Sequence, residues 1–183
     1  MIVLGLDIST SITAYTIINT ELSPGERLLK SEGIYLSDIK DSYRKACKVR
    51  DTFLELSNDY NIQKIAIEES LQSFRSGLSS AKTLSSLTRF NGIVSFFAED
   101  IFGGKIERIN VNSARKNLSI KVDRKSPIHT KEQVRDWVMN HKEFKNFTWP
   151  TKTLKSGPRK GQVIFHESCL DIADSAVMAL CVL

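Results

Sequence analysis

Several features that organise other chains are missing here. Among the 183 residues there is no run of about 18 apolar residues, so the sequence predicts no helix that spans a bilayer. The apolar stretch at the amino terminus starts at Met1 and leads straight into an acid, with no basic segment before it and no cleavage site after it, which predicts a cytoplasmic protein. Cysteine is scarce. Cys47, Cys169 and Cys181 are odd in number and far apart, and no Cys-x-x-Cys pair is present. That pattern argues against a redox disulfide and a thiolate zinc site and predicts reduced, structural thiols. No internal repeat is present.

What is there is a soluble, globular composition with a moderate excess of base. The length fits one domain, 1–183, with an ordinary core. Net charge is +5, and its distribution says more than its total. Arg108, Arg115, Lys116, Lys121, Arg124, Lys125 and Lys131 follow one another with Asp123 the only acid among them, and Lys152, Lys155, Arg159 and Lys160 form a second group. A single basic run is commonly a solvated face. Two in the later half of one chain point to a polyanionic partner, nucleic acid.

Apolar periodicity predicts an α/β chain. Residues 2–6 read as a strand buried on both faces that ends on Asp7. Ile12 to Thr20 and Arg27 to Leu36 complete an antiparallel meander, turning at Ser23-Pro24-Gly25. A helix follows from about Asp38 to Tyr60, with Tyr43, Ala46, Val49 or Arg50, Phe53, Leu54 and Leu56 near helical spacing. Ile62 to Ser70 is a fourth strand that again runs into acids, Glu68 and Glu69. Residues 71–77 read as a loop, and Leu78 to Glu99 as a helix whose serines and Gly92 predict close packing against a neighbour. Lys105 to Val111 is a fifth strand, Asn112-Ser113 a cap for a short helix near Ala114, and Thr130 to His141 another helix. From about 142 to 165 the pattern breaks into a basic insert, a hairpin turning at Gly157-Pro158. A terminal helix runs from about Glu167 to Leu183 with Leu170, Ala173, Val177 and Leu180 inward.

Acids recur at places where a charge needs a reason. Asp7 ends the first strand, Glu68 the fourth, and Asp171 and Asp174 share one face of the last helix. Taken singly, each has an ordinary reading: Asp7 as a turn cap, the helix pair as a solvated face. Taken together, with strands one and four as parallel neighbours, they converge without a balancing Lys or Arg, an arrangement that hard cations stabilise. Mg²⁺, with Mn²⁺ able to substitute, suits such oxygen ligands. Two ions about 4 Å apart activate a water and stabilise the leaving oxygen in phosphodiester hydrolysis.

The element order, with Gly5-Leu6-Asp7, Ala66-Ile67-Glu68 and Asp171-Ile172-Ala173-Asp174-Ser175-Ala176, resembles the ribonuclease H-like fold and, within it, the RuvC-type Holliday junction resolvases, over nearly the whole chain. The resemblance implies a mixed five-stranded sheet, three antiparallel strands plus two parallel, flanked by helices. It implies Asp7, Glu68, Asp171 and Asp174 as catalytic metal ligands, four-way DNA junctions as substrate, and a homodimer with two sites. Glu69 competes with Glu68 as ligand, and His166 is a supporting or general-base candidate beside the acidic helix. Phosphate contacts fall to Arg75, Arg115, Lys116, Lys121, Arg124, Lys125, Lys155, Arg159 and Lys160, and Phe74 is placed to stack on an unpaired base. The helix Leu78 to Glu99, with Phe96 or Phe97, is the expected dimer interface.

Two departures mark a divergent member, as expected of a phage or viral branch. Ile8-Ser9-Thr10 stands where the family has a Pro-Gly turn after the acid, and the 142–165 insert breaks the compact bacterial pattern. Competing readings are a nuclease of the same fold acting on flaps, branched DNA or RNA, and a catalytically silent junction-binding protein. The latter has no need of a costly acid cluster. An actin-like ATPase shares the opening strand and Asp-x-Ser turn but requires a larger, two-domain body.

Overall fold

A strand buried on both faces must be covered by a layer on each side, and β1 (Ile2–Asp7) is such a strand, with Val3, Leu4 and Leu6 fully buried. In the computed structural model, which describes residues 1–69 and 81–183, it lies at the centre of a five-stranded sheet of order β3-β2-β1-β4-β5. Its neighbours are β2 (Ile12–Asn19), antiparallel, and β4 (Ile62–Glu68), parallel. β3 (Leu28–Tyr35) continues the meander, and β5 (Lys105–Ile109) adds a second parallel pair. This is the mixed sheet expected from the sequence.

Strand alternation sends successive side chains to opposite faces. Leu4 and Leu6, with Ile65 and Ile67, meet α1 (Ser42–Asp59) and α2 (Ala81–Phe102), whose Val49, Phe53, Phe90 and Val94 fill that side. Val3 and Ala66 face the other layer, built from α5 (Ser168–Leu180), α4 (Thr130–Met139) and the short α3 (Val111–Asn117). Asp7 and Glu68 have the parity of Val3, Gly5 and Ala66. They therefore emerge on the α5 side.

Gly5 makes that placement possible. A Cβ added there would lie 2.3 Å from the Ser175 carbonyl oxygen and 2.5 Å from the Ala179 nitrogen, so α5 rests directly on the backbone of β1. A buried hydroxyl chain holds it in register: Thr16 Oγ1 lies 2.8 Å from Ser175 Oγ and 2.7 Å from Ser31 Oγ. The helix is buried almost all round from Ser168 to Leu180, rather than along one inward stripe, because α4 covers the face that the sheet does not.

Other differences are local. In α1 only Ala46, Val49, Phe53 and Leu56 are buried, while Tyr43 and Leu54 face solvent, since the core needs a narrower stripe than the apolar residues supply. β5 ends at Ile109 because Asn110, not Asn112, caps α3, accepting from the Asn112 amide. The insert is ordered: a 3-10 turn at Lys142–Phe144 precedes β6 (Thr151–Thr153) and β7 (Val163–Phe165), an antiparallel ribbon. Among the described residues a Cβ at Gly92 would meet nothing within 4 Å, so the close packing expected there is not made among them. The expectations for Phe74, Arg75, the 71–77 loop and the helix start at Leu78 lie outside the described residues. No described helix is long and apolar enough to cross a membrane.

Candidate active site

The register of β1 against β4 pairs Leu6 with Ile67, so Asp7 and Glu68 leave neighbouring strands at one level, about 4.8 Å apart by strand spacing. Above them α5 presents Asp171 and Asp174 on one face of its first two turns. Asp174 is only 5% exposed, which overturns its ordinary reading as part of a solvated helix face. The four acids thus come from three elements to one end of the sheet.

Their electrostatics follow from that crowding. Burial pushes the Asp7 carboxyl well above its ordinary value, and Asp174, Asp171 and Glu68 push it further while Lys131 pulls it back. Glu68 is raised by burial and then by Asp174, against Arg115 and Lys131. Asp171 is raised by burial, with Lys131 opposing and Asp174 adding. Burial and like charge both disfavour ionisation.

Two cations also reach the cluster, which corrects the expectation of acids without a balancing base. Lys131, in the first turn of α4, places Nζ 3.1 Å from Asp174 Oδ2 and 3.7 Å from Asp171 Oδ1. Burial alone lowers the pKa of such an ammonium, but Asp174, Asp7 and Asp171 together raise it to about 12. Arg115, on α3, places Nη2 3.7 Å from Asp174 Oδ1, and its buried Nε has no hydrogen-bond partner among the described residues. In the sequence both were members of a basic run. Only the packing of α3 and α4 against α5 separates them from their exposed neighbours.

The remaining sequence-derived residues divide cleanly. Glu69 is exposed, with its amide donating to the Ile109 carbonyl, and it lines the outer part of the same cleft. His166 belongs to the entry into α5: its Nδ1 lies 2.9 Å from Ser168 Oγ and accepts from the Ser168 amide, and its ring meets Tyr35 edge-on. Lys116, Lys121, Arg124, Lys125, Lys155, Arg159 and Lys160 are exposed and make no ion pair among the described residues. A cleft of about 230 Å³ opens between the acids and α2, lined by Asp7, Glu68, Lys131 and Asp171 on one side and by Leu87, Thr88 and Asn91 on the other.

Among the described residues no three His, Cys, Asp or Glu side chains stand close enough to hold a metal ion as they are. The donor set nevertheless suits a hard divalent cation. All four groups are carboxylates, hard oxygen donors whose like charges face one another, and burial first and then that like charge raise the pKa of Asp7, Glu68 and Asp171. Lys131 acts as the cluster's resident counter-ion. Lys131→Met is expected to destabilise the metal-free protein by about 1–3 kcal/mol, less than for a fully buried pair because the lysine side chain is 43% exposed. Mg²⁺ should then raise the thermal midpoint of the variant more than that of the parent. Thermal melts with and without the ion measure both effects.

No protein-family model and no curated protein match the sequence. Solved structures match it closely in shape. Thermus thermophilus RuvC in complex with a Holliday junction substrate aligns with a TM-score of 0.66 and 17% identity, covering 99% of this chain and 92% of that one. Another structure of T. thermophilus RuvC gives 0.61 and 19%, with the same coverage. Ydc2, the yeast mitochondrial Holliday junction resolvase, gives 0.54 and 19% over 98% of this chain and 76% of its own. The chain therefore has the ribonuclease H-like fold of the RuvC-type resolvases, as its ordered acids and elements implied.

Proposed function

We propose, from the RuvC-type fold and the acids gathered at one end of its sheet, that the chain is a metal-dependent endonuclease that resolves four-way DNA junctions by paired phosphodiester hydrolysis. The observation that carries this reading is the convergence of Asp7, Glu68, Asp171 and Asp174 from β1, β4 and α5. These side chains would hold Mg²⁺, or Mn²⁺ in its place. When bound, the metal supplies an activated water and charge stabilisation at the leaving oxygen. The chain's own residues do the rest: the strand register keeps Asp7 beside Glu68, and Lys131 and Arg115 keep Asp174 oriented.

Lys116, Lys121, Arg124 and Lys125 lie on and after α3, the helix that carries Arg115, and are exposed. They supply cations for the phosphates flanking the scissile bond. Two symmetric cuts require two sites, so the reading includes a homodimer. Phe96 on α2, 61% exposed, and Gly92, which has no neighbour within 4 Å of an added Cβ among the described residues, support that helix as the interface.

The test offers the protein a four-way junction beside matched duplex, flap and RNA–DNA hybrid. With Mg²⁺ we expect paired symmetric nicks on the junction, abolished by a chelator and restored by Mn²⁺. Cutting of flap or hybrid alone moves the protein to another nuclease branch. Binding without cutting in any divalent metal overturns the enzyme.

A further inference from the structure

The ribbon that precedes α5 has no explanation in the core. β6 and β7 pair over only three residues each, and Val163 and Phe165 are exposed. A two-stranded ribbon with so little buried surface contributes little stability. Its root is nonetheless held firmly. Phe144, Phe147 and Trp149 pack ring to ring beneath it, with centroids 5.0 to 5.8 Å apart. The His166 amide donates to the Pro150 carbonyl at 2.9 Å, Lys152 pairs with Glu167, and the Arg135 guanidinium lies 5.2 Å from the centroid of the Phe165 ring. Arg135 belongs to α4, which carries Lys131, and Glu167 immediately precedes α5, which carries Asp171 and Asp174. The ribbon is thus tied to both helices that build the acid cluster.

Its tip is ordered as well. The Leu154 amide donates to the Gln162 carbonyl and the Gly161 amide to the Leu154 carbonyl, both at 2.9 Å, while Gly157 and Gly161 take φ of +80° and +86° to close the turn. Residues 151–165 contain four cations and no acid. Lys152 is used at the root. Lys155, Arg159 and Lys160 stand on the tip, exposed and without an ion pair among the described residues. Like charges gathered on an ordered turn repel one another, so the arrangement favours a partner dense in negative charge.

We propose that the ribbon is a second DNA-binding element, a finger that grips the phosphate backbone of a duplex arm away from the scissile bond. This rests on the reading of the chain as a DNA nuclease. A two-stranded ribbon fits the roughly 12 Å width of a B-DNA major groove.

The test compares the parent with a triple variant, Lys155→Ala, Arg159→Ala and Lys160→Ala, in metal-free binding to plain duplex and to a four-way junction across a salt series. For three lost phosphate contacts the plot of log affinity against log salt should flatten by about 2.7, and affinity at low salt should fall about tenfold or more. The thermal midpoint should be unchanged, and a variant that keeps charge, with Lys155→Arg and Lys160→Arg, should bind like the parent. If parent and triple variant share one salt slope, the finger is overturned while the nuclease reading stands. If the finger binds duplex but the protein neither prefers nor cuts the junction, the resolvase reading falls and the finger stands. A parent that binds no duplex overturns both.

Discussion

Asp7→Asn is expected to abolish cleavage while making the metal-free protein more stable. The loss of activity should be at least about 10²–10³-fold, the scale on which one preorganised charge-handling group matters in a closed site. The gain in stability follows from the sign of the shift. The Asp7 pKa in the folded protein lies well above its ordinary 3.8, first through burial and then through Asp174. A raised carboxyl binds its proton more tightly folded than unfolded, so its stabilising contribution is complete below pH 3.8 and is lost as pH rises through the folded value. At neutral pH the metal-free parent therefore carries an ionisation cost that Asn removes. Melts at pH 7 in chelator should show a higher midpoint for the variant, by roughly 2–4 °C for each kcal/mol recovered. Lowering the pH should narrow that gap. Mg²⁺ should raise the parent midpoint and leave the variant nearly unmoved. A variant that melts lower than the parent in chelator would mean that Asp7 serves as a structural cap, its ordinary reading in the sequence.

Gly5→Ala is the second large effect, at a position with no chemistry of its own. The added methyl would sit 2.3 Å from the Ser175 carbonyl oxygen and 2.8 Å from Ala179 Cβ, and neither backbone nor a short side chain can turn away. α5 must therefore lift from β1, at a cost of about 3 kcal/mol, the upper part of the usual range for overpacking. The lift carries Asp171 and Asp174 away from Asp7 and Glu68, and a misplacement of about 1 Å costs about 10²-fold in rate. Chemical denaturation measures the first effect and single-turnover cleavage the second. If stability falls and single-turnover rate does not, the spacing of α5 over β1 is irrelevant to the chemistry. Conversely, Ser175→Ala adds no bulk and removes the hydroxyl's link to Thr16 and its bond to the Ile172 carbonyl within the helix, so it should be milder on both counts.

The fold was legible in the chain because its signals are local and agree. Buried strands ending in acids, an alternating meander and a terminal helix with acids three apart are patterns of period two and period 3.6, and each survives in the structure within a few residues. Boundaries moved where a single side chain decides them, as at Asn110, whose carboxamide ends β5 and starts α3. The inward face of α1 was overread because Tyr43 and Leu54 are apolar by composition yet lie beyond the width of the core.

By itself the sequence determined which acids exist, their order along the chain and the parity that turns Asp7 and Glu68 to the same side of the sheet. Tertiary structure alone decided which cations join them. Lys131 and Arg115 look like their neighbours Lys125 and Lys116 in a basic run, and nothing local distinguishes them. Their roles arise when α3 and α4 close over α5, bringing residues more than forty positions apart within ion-pair distance of Asp174. Electrostatic coupling depends on distance through space and on burial, and neither is written in the spacing of residues along a chain.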